Sequence, residues 1–183
     1  MLKFLAAVII FLQTTCAAAE IKKPVRIVCL PIIFQNEIDS ETRSGLELKI
    51  SRAVHIPLNG SLKLAEYLDA EISVAALEKN PADAVKNLAE ELDADLVICP
   101  ILRRYSQSYL PAFGLSGESR LASSADAELI VYDRRTDTLT DKKTSRSYSG
   151  SYSKFGTAPH LAGECFDALI KKTGLREIIR AIR

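Results

Sequence analysis

The sequence predicts a single α/β (α+β) domain in which helices pack on one mixed β-sheet that has a parallel central pair and a late antiparallel hairpin. The first observation is an apolar run at residues 96–99 without polar alternation, which is typical of a strand covered on both faces. The second is the helical period of residues 81–92, which lead straight into that run. The third is an apolar run at residues 25–31. A strand, a helix and a strand in this order favour a right-handed crossover and a parallel pair.

The segment after the first strand is expected to be irregular. Residues 35–58 mix charges with few periodic apolar positions, and Ser44–Gly45 interrupts any helix. We therefore expect an excursion from the sheet, with a short strand over residues 46–50. A turn pair follows at Asn59–Gly60, and the alternating residues 62–69 fit either a strand or the start of a helix.

Two helices are predicted next. Ser73 is a suitable cap for the first, and Asn80 with Pro81 starts the second, since proline is tolerated in the first turn. The buried stripe of the second helix consists of Ala84, Val85, Leu88 and Leu92.

The second half of the chain predicts a hairpin and a final helix. Beyond residue 100 the central strand becomes polar and basic, which indicates that it extends past the elements that bury its first half and reaches solvent. Residues 110–124 are rich in small residues and are expected to form an exposed loop. Residues 125–133 form a strand, and a polar run over residues 138–148 returns as an edge strand that Lys and Arg side chains protect. An amphipathic helix interrupted at Gly174 ends the chain.

The amino terminus has the three parts of an export signal. Lys3 is the positive residue, residues 4–12 are an apolar core too short to span a bilayer, and the alanines 17–19 form a cleavage site before Glu20. We expect a signal peptide over residues 1–19, a single domain over residues 20–183, and a periplasmic or extracellular location. Two alternatives are an uncleaved anchor and a chain lipid-anchored through Cys16.

The charge balance argues against a general nucleic-acid binder. The chain of 183 residues has 24 basic and 23 acidic residues, and Lys3 is the only charged residue before Glu20. The predicted mature chain is therefore neutral, whereas nucleic-acid binders have a basic excess.

The cysteines indicate buried thiols rather than a metal site. Cys29, Cys99 and Cys165 are an odd number in the predicted mature chain. Cys29 and Cys99 each lie inside an apolar strand just before a proline (IVCLP and VICPI). If these strands are neighbours, a disulfide between them is conceivable, but adjacent parallel strands seldom give the geometry. No CxxC occurs, and His55 and His160 have no ligand pattern around them.

Three segments carry a resemblance to a known group of domains. They are residues 25–31, the helix followed by Ala94-Asp95 and the apolar run, and the strand and turn over residues 129–139 with its D-x-x-T-D sequence. The order resembles the small α/β domains of bacterial envelope proteins related to CsgG, LpoB and the amino-terminal domain of TolB, in which glycine is usual where Asp137 stands. The resemblance implies a non-enzymatic fold used for assembly and protein contact at the cell envelope. It transfers no functional residue.

Tyrosines and arginines among serines form the candidate partner-binding surface. Tyrosine with serine gives a rigid amphipathic contact surface at low entropic cost, although cross-strand pairing on a half-exposed sheet explains the same pattern. The candidate residues are Arg103, Arg104, Tyr105, Tyr109, Arg146, Tyr148 and Tyr152.

No catalytic, cofactor or metal site is predicted. Ser, His and Asp occur without triad spacing, and residues 114–119 (GLSGES) lack the G-x-S-x-G spacing of a nucleophile elbow. We expect an exported, non-enzymatic envelope protein that has a protein partner and binds no nucleic acid. We expect no transmembrane span in the mature chain, and a homo-oligomer is possible. The alternative is a small-ligand or glycan-binding module that uses the Tyr/Ser/Arg-rich strand ends.

Overall fold

The computed structural model of the chain describes residues 24–55, 65–110 and 119–181. The predicted signal peptide, the cleavage point before Glu20, Cys16 and the Asn59–Gly60 turn lie outside the described residues.

Six strands in the described part form one mixed sheet, which confirms the predicted fold class. The strands lie in the order β3-β1-β4-β5-β6, and the short β2 also pairs with β4. β1 is parallel to both β3 and β4, and β2 is parallel to β4. β5 is antiparallel to both of its neighbours, β4 and β6. The parallel central pair is thus β1 with β4, and the late hairpin is β5 with β6. The strands are β1 (Val25–Cys29), β2 (Ile33–Phe34), β3 (Ala65–Leu68), β4 (Leu96–Leu110), β5 (Arg120–Asp133) and β6 (Thr138–Ser151).

Helices pack on both faces of this sheet. The layer on one face is formed by α1, α4 and α5, and the layer on the other by α2 and α3. The helices are α1 (Ser40–Val54), α2 (Val74–Lys79), α3 (Pro81–Glu91), α4 (Ala158–Thr173) and α5 (Leu175–Ala181), and a 3₁₀ turn (Lys154–Gly156) precedes α4.

The first half of β4 is buried on both faces, as predicted. Leu96 and Ile98 contact the core under α1, α4 and α5, whereas Val97 and Cys99 contact the core under α2 and α3. Each of the four is fully buried. Because alternate side chains enter different cores, the strand needs an unbroken apolar run, and residues 96–99 supply it.

The Ala-Asp pair before β4 fixes the start of the parallel pair. Asp95 Oδ2 accepts a hydrogen bond from the Arg26 backbone N–H at 2.9 Å, and the Asp95 N–H donates to the Arg26 carbonyl at 2.8 Å. Ala94 is fully buried beside them, and Asp93 binds the Arg134 guanidinium at 2.6 Å. These two acids therefore link the end of α3 and the start of β4 to β1 and to the turn after β5.

The predicted excursion over residues 35–58 is wrong for residues 40–54, which form α1 instead of a loop with a strand at 46–50. Asp39 caps the helix by accepting from the Thr42 N–H at 2.8 Å. The buried stripe of α1 contains Leu46, Ile50 and Val54. Gly45 does not interrupt the helix, because its position is exposed and a Cβ there would meet nothing within 4 Å. The stripe offsets the roughly 1 kcal/mol that a helical glycine costs.

The predicted loop over residues 110–124 is too long. Leu110 still belongs to β4, and β5 begins at Arg120, five residues before the predicted start at residue 125. The small residues 122–124 take extended form because β4 pairs with them on one side and β6 on the other. The returning strand is confirmed as the sheet edge and extends to Ser151. In the hairpin turn Asp137 has φ of 48°, which explains why glycine suits this position.

Cys29 and Cys99 lie on neighbouring strands but on opposite faces of the sheet. Cys29 is paired with Ile98, so its offset from Cys99 is one residue, and a one-residue offset reverses the face. Both are free thiols, as is Cys165. Burial raises the pKa of the Cys29 thiol to about 11 and that of Cys99 to about 12. The prediction of buried thiols is confirmed for Cys99 and Cys165, whereas Cys29 is partly buried.

Candidate functional site

The distal halves of β4, β5 and β6 extend past the core as a three-stranded arm, which we call the distal arm (residues 103–110, 120–126 and 144–151). Along β5 the odd-numbered Leu121, Ser123 and Ala125 are buried, whereas the even-numbered residues between them are only half-buried. The buried side, the helix face, packs on α4, and the Cys165 thiol lies 3.4 Å from the Ala125 carbonyl oxygen. The other side has no cover among the described residues.

The uncovered side of the distal arm is lined by short polar side chains, and we call it the serine face. Ser106 and Ser124 are joined through their hydroxyls at 2.8 Å, and the Ser145 hydroxyl donates to Asp126 at 2.6 Å. The register places three cross-strand rows on this face, namely Arg104–Asp126–Ser145, Ser106–Ser124–Ser147 and Ser108–Ala122–Ser149.

A β-bulge places two consecutive arginines on the serine face. The register of β4 against β5 shifts between Leu102 and Arg104, and the extra residue is Arg103. The Arg103 Nε donates to the Glu128 carboxylate, and Arg104 Nε lies 3.3 Å from an Asp126 oxygen. In a regular strand these two neighbours would point to opposite faces, so the bulge creates the pair.

Glu128 is fully buried and forms the centre of a charge cluster at the base of the arm. Arg103 binds one of its oxygens, and Lys143 Nζ lies 3.5 Å from the other. The hydrogen bond to Glu128 raises the pKa of Arg103, and burial together with the Glu128 charge raises the pKa of Asp141. Each cation therefore has a carboxylate partner, and the cluster holds its own charges in place.

An open cavity of about 600 Å³ lies over this cluster. It is bordered by both arginines of the bulge and by Lys143, and its remaining lining includes Gln35 and Ser145. A second groove of about 620 Å³ lies between α1 and α4, with Lys49 paired to Asp167 along it.

Tyr105 lies on the helix face rather than beside Arg104. It is half-buried against the core next to the first turn of α1, and burial is the main cause that raises its pKa. Gln107, two residues further along the same face, accepts a hydrogen bond from the Ala158 N–H at 2.9 Å and so caps α4.

The side chains of Tyr148 and Arg146 donate hydrogen bonds to backbone carbonyls of β6. The Tyr148 hydroxyl donates to the Ser151 carbonyl at 2.7 Å, and Arg146 Nη1 donates to the Ser145 carbonyl at 3.2 Å. The Tyr148 ring also packs on Gly156, where an added Cβ would lie 2.6 Å from Cγ of the ring. Both side chains therefore have structural partners.

The seven candidate residues do not form one continuous surface. Arg103 and Arg104 share the serine face, four others lie on the helix face, and Tyr152 follows the end of β6, where it is exposed. Tyr109 is exposed at the end of β4. The four on the helix face are Tyr105, Tyr109, Arg146 and Tyr148.

Sequence reasoning missed Glu128 and the serine rows. The rows had a signal, because serine alternates along residues 104–110 and 145–151 with the period of a strand. Glu128 had none, since the bulge that brings Arg103 to it depends on the pairing of β4 with β5.

The described residues contain no group of three or more His, Cys, Asp and Glu side chains arranged to hold a metal ion. His160 lies 3.5 Å from Glu164, and His55 lies at the end of α1 beside Ser51. All the described helices fall short of the length and apolar content that a membrane crossing requires.

No family model matches the chain, and no curated protein matches it in sequence. Among solved structures, a hypothetical protein of Chlamydia trachomatis is 17% identical with a TM-score of 0.47, and the match covers 82% of this chain and 96% of that one. A lipoprotein of Neisseria meningitidis is 18% identical with a TM-score of 0.38, over 82% and 99% of the two chains. The PelC dodecamer of Paraburkholderia phytofirmans is 13% identical with a TM-score of 0.38, over 84% and 88%. The matched structures thus include bacterial lipoproteins and a hypothetical protein, and with TM-scores below 0.5 no family assignment follows from them.

Proposed function

We propose that the chain is an exported, non-enzymatic protein of the bacterial cell envelope that acts through protein–protein contacts in an assembly or accessory role. Its docking surface is the outer edge of β4 over residues 106–110, which we call the free edge. A partner protein adds an extended segment there as a further strand.

The free edge begins where the neighbours of β4 end. β1 and β2 pair with β4 up to Leu102, and the Gln35 N–H still donates to the Leu102 carbonyl at 3.1 Å. Asn36 Oδ1 then accepts from the Tyr105 N–H at 3.2 Å. Beyond Tyr105 no described residue pairs with this side of β4, and residues 106–110 are all exposed.

The contrast between the two edges of the arm is the observation that carries the proposal. β6 is protected along its length by Lys142 and Lys143 and by the side-chain bonds to the Ser145 and Ser151 carbonyls. Residues 105–110 of β4 carry no charge and no proline. Proteins commonly protect sheet edges that must not pair with another strand. Because β6 is protected in this way and residues 106–110 of β4 are not, the β4 edge is suited to a partner strand.

Side chains on both sides of the free edge can select the partner. Tyr105, Gln107 and Tyr109 alternate on the helix face, whereas Ser106 and Ser108 alternate on the serine face. Main-chain hydrogen bonds would supply affinity, and the exposed Tyr109 would supply contact area for specificity.

The test is a matched pair of lysine substitutions in one cross-strand row. Ser108 and Ser149 flank Ala122 from the two sides, and both are exposed. We expect the unchanged chain to capture a protein from the native envelope, Ser108→Lys to lower that yield by about tenfold, and Ser149→Lys to retain it, because an edge lysine opposes strand addition. Capture of no protein, or equal yields from the two variants, would contradict the proposal.

A second candidate is a small-ligand or glycan-binding module that uses the cavity over the bulge. The observation that favours it is the pair Arg103 and Arg104 with Lys143 around a space of about 600 Å³. A thermal-shift screen with sugars and anionic metabolites tests it. A reproducible shift that Arg104→Ala removes, with no protein captured from the envelope, would rank this candidate first.

A further inference from the structure

Large apolar side chains are concentrated at one end of the molecule. Tyr109, Leu110, Tyr152 and Phe155 are exposed by 59, 47, 65 and 62% of their surface, and we call them the apolar tip. The only other large apolar side chains with comparable exposure among the described residues are Leu48 on α1 and Val74 on α2, which are isolated. Single exposed apolar residues need no explanation, whereas a cluster marks an interaction surface.

The register brings the four residues of the tip together. Leu110 is paired with Arg120, and Arg120 with Ser151, so Leu110 and Ser151 are about 10 Å apart across β5. Tyr152 follows Ser151 directly, and Phe155 lies in the 3₁₀ turn that comes next. Among the described residues, the tip therefore lies at the end of the sheet.

The charges at the tip are basic within the described residues. β5 begins there at Arg120, and Lys154 Nζ lies 5.1 Å from the centre of the Phe155 ring. Neither forms an ion pair with a described residue, whereas Arg103, Arg104 and Arg146 each have a carboxylate partner. Residues 107–110, 119–122 and 151–156, which contain and adjoin the tip, include no acidic residue.

We infer that the apolar tip rests on an anionic lipid surface. Tyrosine and phenylalanine with a basic residue beside them suit the boundary between headgroups and acyl chains, where the rings enter the apolar layer and Lys or Arg reaches the phosphates. Negatively charged lipids attract each unpaired cation. A surface formed by strand ends meets a flat bilayer without needing a complementary groove, and this favours lipid over a protein partner.

The inference goes beyond the proposed docking edge, and the two are tested separately. The chain contains no tryptophan, so a single substitution gives a fluorescent probe without background. In the full chain we compare Tyr152→Trp and Phe155→Trp with Leu48→Trp, which reports on an apolar position that is 50% exposed and lies away from the tip. Circular dichroism checks that each variant is folded.

With vesicles that contain phosphatidylglycerol, the two tip probes are expected to shift to shorter emission wavelength and to be quenched by lipids brominated near the headgroup. The probe at position 48 is expected to do neither, so adsorption through the amino-terminal residues cannot imitate the result. Vesicles of phosphatidylcholine alone are expected to give a weaker shift, because the basic residues then have no anionic surface to meet.

The double variant Tyr152→Ser with Phe155→Ser is expected to bind anionic vesicles about tenfold more weakly than Leu48→Ser with Val74→Ser, since two buried rings are lost. Tip probes whose emission is unchanged by vesicles would overturn the inference. So would a tip probe that responds only when a second protein or a second copy of the chain is added.

Discussion

At the scale of single residues, Ile98 tests the interpretation of β4 as the central strand. It is fully buried and packs in the core under α1, α4 and α5. Ile98→Asp places an unpaired charge there, and we expect a loss of several kcal/mol of folding free energy, enough to unfold a typical domain. Urea denaturation followed by circular dichroism measures it.

The control for Ile98→Asp is Arg104→Ala. The Arg104 side chain is 65% exposed and its ion pair with Asp126 faces solvent, so we expect a change of about 1 kcal/mol or less. Tyr105→Ala is not an equivalent control, because Tyr105 is half-buried against the core. If Arg104→Ala unfolds the chain as Ile98→Asp does, then the serine face is not a solvent-facing surface.

At the scale of secondary-structure elements, the bulge in β4 is expected to contribute to stability through a buried charge pair. Arg103→Ala leaves the fully buried Glu128 with Lys143 as its remaining cation and with the Asp141 carboxyl close by, and removal of one partner of a buried pair typically costs about 3–5 kcal/mol. We expect the double variant Arg103→Ala with Glu128→Gln to recover part of this loss, because the uncompensated charge is gone. Thermal unfolding of the two variants beside the unchanged chain makes the comparison.

The outcome that would contradict this account is a loss from Arg103→Ala that stays near 1 kcal/mol, as surface arginines give. Arg103 would then be available to a partner, as the sequence pattern suggested. A capture experiment with Arg103→Ala is informative only after this measurement, since an unfolded arm would also fail to bind.

The elements that sequence reasoning predicted are those whose local pattern agrees with their tertiary environment. The apolar run of β4 and the amphipathic stripe of α4 indicate directly which residues are buried, and the capping residue of α3 marks where that helix starts. The start of β5 could not be predicted, because residues 120–124 have the composition of a loop and take extended form only between two neighbours.

The missed helix α1 had a readable signal that a glycine obscured. Leu46, Ile50, Ala53 and Val54 have helical spacing, and Asp39 is a good cap. A glycine on the exposed side of a helix costs only about 1 kcal/mol, so Gly45 does not outweigh this signal. For the candidate surface, the sequence shows which residue types occur but not the sheet face on which each side chain lies. A single bulge between Leu102 and Arg104 changes the face on which the arginines lie.

At the scale of the whole molecule, the helices cover one half of the sheet more completely than the other. The half that contains β1, β3 and the start of β4 has helices on both faces, whereas the distal arm has α4 on one face and no cover from the described residues on the other. The double-sided core and the proposed contact surfaces therefore lie in different parts of the same strands. Substitutions in the free edge or the apolar tip are expected to leave the double-sided core intact, and this makes binding separable from folding.

The last prediction concerns the amino terminus of the mature chain. Lys3, the apolar residues 4–12 and the alanines 17–19 predict cleavage before Glu20, upstream of β1, so the processed chain keeps the pairing of β1 with β3 and β4. Sequencing of the protein from the native envelope is expected to start at Glu20. Ala19→Arg should block processing, since the site needs a small residue, and Cys16→Ser should leave it unchanged. Met1 intact in a cytosolic fraction would refute export, whereas an acylated Cys16 at the terminus, lost in Cys16→Ser, would show that the chain is lipid-anchored instead.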